Sequence, residues 1–427
     1  MRPVFCAVAD DDTGATDLAG MLADQGLRTV LVIDADANGS FERWADQHDA
    51  VIVGTGTRAL SPTEAYSRTR AAVRALKALD PRVIEVKYCS TFDSTTEGNI
   101  GPSLDAAMDE LGEEFTIALP ALPINGRTTY MGYHFVGSQL LSDSSMRDHP
   151  LTPMRNSHLV SHLQSQTKRK VGLAAYPVSR ARIEQARAER VQIAIVDCIG
   201  DRDLESACEA IAHLRLISGS SAPAMKLPAI WQREEWWNPS EAVLRRPGVV
   251  GSGYLVVAGS CSVATQGQNK WLESQGAETT VLDPLALLGG DCETSKISDA
   301  LQRGRVCLLR IASAADDVER VQQWATARNL GANETGVKVA YALAAAVLKI
   351  LERTPPLGLI VAGGETSGAV SRTLSLGALE VGRNIEPGVP LCRALGRFEL
   401  PVVLKSGNFG SLDFYGRAIQ AIKESSN

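Results

Sequence analysis

The chain has 427 residues, too many for one ordinary hydrophobic core and suited to two domains. With 44% hydrophobic and 22% charged residues it has a globular composition, and a net charge of −6 without a long basic run argues against nucleic acid as a partner. Eight scattered cysteines without a CxxC pair fit buried thiols better than a disulfide framework or zinc site, and no apolar run reaches the ~18 residues of a bilayer span, so a soluble cytoplasmic protein is expected.

PVFCAVA (3–9) is an apolar, β-prone run read as a buried strand, and its early start leaves no room for a signal peptide. A helix follows, with Leu18, Met21, Leu22 and Leu27 at helical spacing, Asp12 or Thr13 as N-cap and Gly26 as stop. TVLVID (29–34) completes a βαβ unit, which implies a parallel pair. The rhythm repeats through DAVIVGTGT, a helix to Leu79, RVIEVKYCS, a helix from about Gly101, FTIALPA, VQIAIVD (191–197) and a helix near 201–214. Between these, 121–165 is polar and weakly periodic, and irregular stretches inside compact domains are often functional.

A second series begins at GYLVVAGS (253–260) and continues with a helix over ATQGQNKWLESQG and the strands RVCLLRIA, LGLIVAGG and LPVVLKSG. Alternating β and α in both halves predicts two α/β domains with largely parallel sheets, an active site in the cleft between them, and a boundary within 232–252. The domains are placed at 1–240 and 250–427, and Trp231, Trp236 and Trp237 are expected to pack between them.

Ligands of parallel α/β sheets bind beyond the carboxyl ends of strands. Asp10, Asp11 and Asp12 stand at one such end, Thr57 and Arg58 at another, Lys87 and Asp93 at a third, and Asn125, Gly126, Arg127 and Thr128 after FTIALPALP. Arg58, Lys87 and Arg127 suit a substrate carboxylate, and the crowded aspartates suit hydroxyls or a general base, which together describe a small anionic polyol. In the second half AGSCSVATQ (258–266), VAGGETSGAV (361–370) and KSGNFG (405–410) place small residues after strands, a pattern that cradles phosphate. No P-loop and no GxGxxG after the first strand is present. His158 and His162 stand at metal-binding spacing but lack the HExxH glutamate, so with His134 and His149 they read as surface or structural residues.

These segments, with KYCSTFDSTTEGNIG (87–101), NGRTTYMGYHFVG (125–137) and SSMRDHPLTPM (144–154), come in the order of the four-carbon acid sugar kinases, and over essentially its whole length the chain resembles that family. TFDSTTEGNIG is most like the branch that phosphorylates 3-oxo-tetronates at the 4-hydroxyl, with D-threonate and D-erythronate as alternative substrates. The resemblance implies an N-terminal acid-sugar domain, a C-terminal nucleotide domain, ATP and Mg²⁺. It implies that Asp10, Arg58, Lys87, Asn125 and Arg127 bind the acid sugar and that Asp11 or Asp93 takes the proton. Ser260, Ser262, Gly363, Gly364, Glu365, Thr366, Ser367, Gly368, Gly407 and Asn408 are implied to contact ATP. One departure is GSSAPAM (219–225), where the family often carries a GSGLA-like turn. The metal ligands are not identified by the resemblance, and a homodimer stays open. Two other classes stand beside this reading: a metal-dependent sugar-acid lyase or hydrolase built on the histidine-rich segment, and a non-enzymatic sensor of sugar acid and nucleotide.

Overall fold

The computed structural model describes residues 2–33, 41–58, 60–148, 152–239, 251–313 and 315–426. Asp34, His149 and the centre of the expected boundary, 240–250, lie outside them. Two compact units divide the chain, Met1–Ala242 and Val243–Asn427.

In unit 1 the elements are β1 (Phe5–Ala9), α1 (Asp12–Asp24), β2 (Thr29–Val32), α2 (Glu42–Ala45), β3 (Ala50–Gly54), α3 (Pro62–Lys77), β4 (Val83–Lys87), α4 (Ile100–Leu111) and β5 (Thr116–Ala118). There follow β6 (Arg127–Tyr130), β7 (Tyr133–Val136), β8 (Gln139–Leu140), α5 (Leu159–Gln164), β9 (Val171–Ala174), α6 (Arg180–Ala188), β10 (Ile193–Val196), α7 (Asp201–Ile211), β11 (Leu216–Gly219) and α8 (Leu227–Arg233). The strands run β11-β4-β1-β3-β2 with every neighbouring pair parallel, and β1 sits centrally, Phe5 opposite Ala50 and Val83. β1, β2, β3 and β4 are buried throughout; β1 and β3 are accordingly continuous apolar runs instead of alternating ones, while β4, VIEVK, also buries Glu85 and Lys87. A second parallel set runs β5-β10-β9.

Local sequence explains the helices. α1 buries Ala15, Leu18, Ala19 and Leu22 on one face, and the chain turns at Gly26 with φ 91°. α3 starts on Pro62, with Ser61 and Glu64 closing a reciprocal capping box. Trp231 is fully buried against Phe5, with ring centroids 5.7 Å apart, so it belongs to the unit 1 core and not to packing between domains.

The 121–165 stretch is more ordered than its sequence suggests. β6, β7 and β8 form an antiparallel meander, and its first hairpin turns on Met131 and Gly132, both at positive φ, the geometry a two-residue hairpin needs. The fully buried Asp197 carboxylate accepts from both turn amides at 2.8 and 2.9 Å and fixes the turn.

Unit 2 contains β12 (Tyr254–Ala258), α9 (Val263–Ser274), β13 (Glu278–Leu282), α10 (Pro284–Leu288), α11 (Ser295–Gln302), β14 (Val306–Ile311), α12 (Ala315–Thr326) and α13 (Ala332–Arg353). It closes with β15 (Gly358–Ala362), α14 (Gly364–Thr373), β16 (Ala378–Glu386), β17 (Val389–Ala394), β18 (Pro401–Lys405) and α15 (Phe414–Ser426). Its strands run β16-β17-β18-β15-β12-β14-β13, parallel from β18 to β13 and antiparallel across β17. Val256, Leu308, Ile360 and Val403 meet Phe414, Tyr415 and Ile419 of α15 in its core.

Candidate functional site

In unit 1 three strand ends converge. The ladder continues past the strands, with Thr55 N donating to Ala9 O, Asp10 N to Lys87 O, and Arg58 N to Asp10 O. This sets Asp10, Arg58 and Lys87 side by side. Asp11, not Asp12 or Thr13, caps α1: its backbone is extended and its Oδ1 accepts from Gly14 N at 2.6 Å. The cap falls one residue early because β1 runs straight into the turn, and any of the three acids can cap chemically.

Arg58 is held by the acids around it. Its Nε and Nη2 fork onto Asp10 at 2.8 and 2.9 Å, its Nη1 lies 2.7 Å from Asp11 Oδ2, and Asp93 Oδ2 stands 3.9 Å away. Burial opposes the guanidinium charge, yet Asp10 and Asp11 hold its pKa well above the ordinary value. Burial raises the Asp11 carboxyl and Asp10 repels it further, while Arg58 and Lys87 partly offset both. Lys87 is buried and donates to Tyr88 O at 2.9 Å. Asn99, which the sequence did not single out, donates from one amide to the carbonyls of Thr57 and Leu60, each at 2.7 Å, and fixes the loop carrying Arg58. The enclosed cavity lined by Asp10, Thr57, Arg58, Lys87, Asp93 and Asn99 is about 10 Å³, room for one water and not for a four-carbon acid. A ligand therefore has to meet the cluster from outside, where the Asp11 side chain is 30% exposed.

Asn125 and Arg127 flank Gly126, and Arg127 Nη1 donates to Asn125 O. The Arg127 Nε is buried and has no hydrogen-bond partner among the described residues.

In unit 2 the three small-residue loops touch one another at the ends of β12, β15 and β18. Gly363, at φ 125°, donates its N–H to Lys405 O at 2.9 Å. A Cβ on Gly259 would stand 2.2 Å from Thr366 Oγ1, and one on Gly407 2.2 Å from Ser260 Oγ, so the glycines let the loops interlock. Ser262 is occupied: it caps α9 and donates to Gly407 O at 2.6 Å, joined there by Thr265 Oγ1 at 2.8 Å. Lys405 is buried behind them, which lowers its pKa to about 8.

Beside these loops lies a 450 Å³ cavity, within the range of small-ligand sites. Ser260, Gly363, Gly364, Glu365 and Thr366 line one wall, and Ile311, Val318, Val321, Ala325, Val339 and Ala340 line the other. Ser262, Ser367, Gly368, Gly407 and Asn408 lie outside its lining. The apolar wall was not foreseen, because its valines and alanines look like ordinary core faces of α12 and α13. His134 and His162 are buried with their Nε2 atoms on backbone carbonyls, and His158 caps α5. Among the described residues no helix is long and apolar enough to cross a membrane.

Comparison with known proteins matches this division. Residues 5–227 match the family model of a sugar-binding N-terminal domain, and 255–415 that of a nucleotide-binding C-terminal domain. The chain is similar to the 3-oxo-tetronate kinase of Cupriavidus necator, 41% identical over 99% of this chain and 98% of that one. It is similar to that of Burkholderia multivorans as well, 40% identical over 99% and 98%. A crystal structure from Salmonella typhimurium LT2, described as that of a tRNA synthase, has a TM-score of 0.82 at 33% identity and covers 98% of this chain and 99% of its own. The chain belongs to the four-carbon acid sugar kinase family.

Proposed function

We propose that this chain transfers the γ-phosphoryl group of ATP to the 4-hydroxyl of 3-oxo-tetronate, with 1–240 binding the acid sugar and 250–427 the nucleotide. The observation that carries the reading is the pairing of a charged, hydroxyl-suited cluster in one unit with interlocked glycine loops beside an apolar cavity in the other.

The adenine lies against Val318, Val321 and Val339, and the phosphates lie on the loop 363–366, where the first amides of α14 favour anions. Among the described residues no group of three or more His, Cys, Asp or Glu is set to hold a metal. Glu365 at the cavity rim would hold Mg²⁺ arriving with the triphosphate, and the ion would supply neutralisation of phosphate charge.

Asp93 takes the proton from the attacking hydroxyl. Both Asp11 oxygens are engaged, by Gly14 N–H and by Arg58, whereas among the described residues Asp93 is bonded through Oδ1, to Thr91, and its Oδ2 stands 3.9 Å from Arg58. Asp11 keeps Arg58 in place, and Arg127 receives the substrate carboxylate. Transfer needs the hydroxyl in line with the γ-phosphoryl, so catalysis requires the two half-sites to meet and exclude water. Eight free cysteines suit the cytoplasm, and a size measurement decides between monomer and homodimer.

The test is ADP release with ATP and Mg²⁺ across 3-oxo-tetronate, D-threonate and D-erythronate. The 3-oxo acid should give the highest kcat/KM. A higher value for either aldonate would move the substrate assignment, and no ADP with any of them would overturn the reading.

A further inference from the structure

We propose that His134 and His162 are positioning residues: together they clamp the loop 89–95 by its backbone and so set where Asp93 stands relative to Arg58. The proposal rests on the reading of Asp93 as the proton acceptor.

The loop needs holding. Phe92, directly before Asp93, has φ 55°, a left-handed conformation that residues with a Cβ adopt only at a steric cost. Its ring is fully buried, edge-on to Tyr88 at 5.3 Å and to His162 at 6.0 Å. A buried ring on a left-handed residue throws Asp93 to the opposite side, toward Arg58.

The clamps stand on either side of that kink. His134, on β7, brings Nε2 to 2.8 Å from Ser90 O, and its Nδ1 lies 3.0 Å from the Thr129 hydroxyl. His162, on α5, brings Nε2 to 3.1 Å from Ser94 O. A carbonyl only accepts, and the Ser94 hydroxyl, 3.2 Å from the same His162 nitrogen, gives its own proton to Phe92 O at 3.1 Å, so each Nε2 carries the proton and donates. The Nδ1 of His134 then accepts from Thr129. The Nδ1 of His162 has no partner among the described residues, which fits the same tautomer. Burial lowers both imidazoles, His134 to about 4, so they stay neutral at physiological pH. Two neutral donors thus grip the carbonyls two residues before and two after Phe92, from separate elements.

Three proteins test this by steady-state kinetics: His134→Leu, His134→Gln, whose amide can place a donor near the lost Nε2, and Asp93→Asn. Loss of the clamp should lower kcat for the acid sugar ~10- to 100-fold, as misplacement by ~1 Å does, with the KM for ATP unchanged. His134→Gln should recover most of it. Equal kcat for the two His134 variants would overturn the clamp, since a merely space-filling role does not distinguish them. Wild-type kcat in Asp93→Asn would instead refute the proton-acceptor reading. Should His134→Leu not fold, long-range ¹H–¹⁵N correlation on the wild-type imidazoles decides. His134 should carry its proton on Nε2, and an Nδ1–H tautomer with a bare Nε2 would sink the clamp.

Discussion

Glu85 is fully buried in unit 1. It sits in β4 opposite Ala7 and Ile217, and neither carboxylate oxygen has a hydrogen-bond partner among the described residues. Burial raises its pKa from an ordinary 4.5 to about 8, and the attraction of Lys87, two residues along the strand, offsets only part of this. At pH 7 the folded protein therefore keeps a proton that the unfolded chain releases. Stability is greatest below pH 4.5 for this group and falls as pH rises toward 8, the sign expected when the native state binds more protons. At 1.36 kcal/mol per pH unit across that window, the cost is under ~1 kcal/mol at pH 5 and ~3 kcal/mol at pH 7. Glu85→Gln keeps the shape and cannot ionise, so it should gain on the wild type by ~2–3 kcal/mol between pH 5 and pH 7. Urea unfolding of both proteins, followed by tryptophan fluorescence at several pH values, measures the gap, and the unit 2 transition is common to both. Parallel stability curves would refute the reasoning. A variant less stable than the wild type at pH 7 would refute it more sharply, because Glu85 would then be ionised and paired.

Arg127→Met should raise the KM for the acid sugar ~10-fold or more, with the KM for ATP unchanged, because a charged hydrogen bond to carboxylate contributes ~1.5–3 kcal/mol; equal KM values would remove Arg127 from the site. Gly363→Ala should raise the KM for ATP, since φ 125° strains an alanine by ~1–3 kcal/mol and the new methyl group meets Thr366 Oγ1 at 2.9 Å; unchanged nucleotide titration would contradict this. Ser262→Ala should destabilise unit 2 by ~1–2 kcal/mol in chemical unfolding, from the lost cap of α9. Asn99→Ala should lower kcat through the Arg58 loop, since it strips both 2.7 Å amide bonds to Thr57 O and Leu60 O, and full activity would show that the loop holds itself.

The buried parallel strands were legible because burial on both faces writes an uninterrupted apolar run: β1, β3, β10, β12 and β15 all read this way, and β4 and β18 do so apart from Glu85, Lys87 and Lys405. β13 was not, because four of its five residues keep some exposure and its sequence, ETTVL, is largely polar. RTTY of β6 hid for the same reason, and only its Thr129 is buried. The residues at strand ends could be named because position alone makes them site candidates. Asn99, His134 and His162 could not be given their contacts, since each binds a backbone carbonyl 39 to 68 residues away and such bonds leave no periodic trace.

The row of acids at the start of the chain now has a chemical consequence for substrate orientation. Asp10 takes the Arg58 fork, Asp11 caps α1 and takes the third guanidinium nitrogen, and Asp12 enters the first turn, where the helix dipole favours it, packed over Gly54. With Asp93 nearby, three carboxylates, Asp10, Asp11 and Asp93, face two cations, Arg58 and Lys87, and Arg58 already answers two of the acids. The cluster is therefore net negative and repels a carboxylate while accepting hydroxyls. A four-carbon acid carries its carboxylate at one end and its 4-hydroxyl at the other. In the proposed arrangement, repulsion turns the carboxylate toward a cation outside the cluster, the role given to Arg127. The 4-hydroxyl then points at the acids, beside the open oxygen of Asp93. On the proposed reading, phosphorylation at the carbon farthest from the carboxylate would follow from the charge balance of the cluster, without any contact that reads the carbon chain itself.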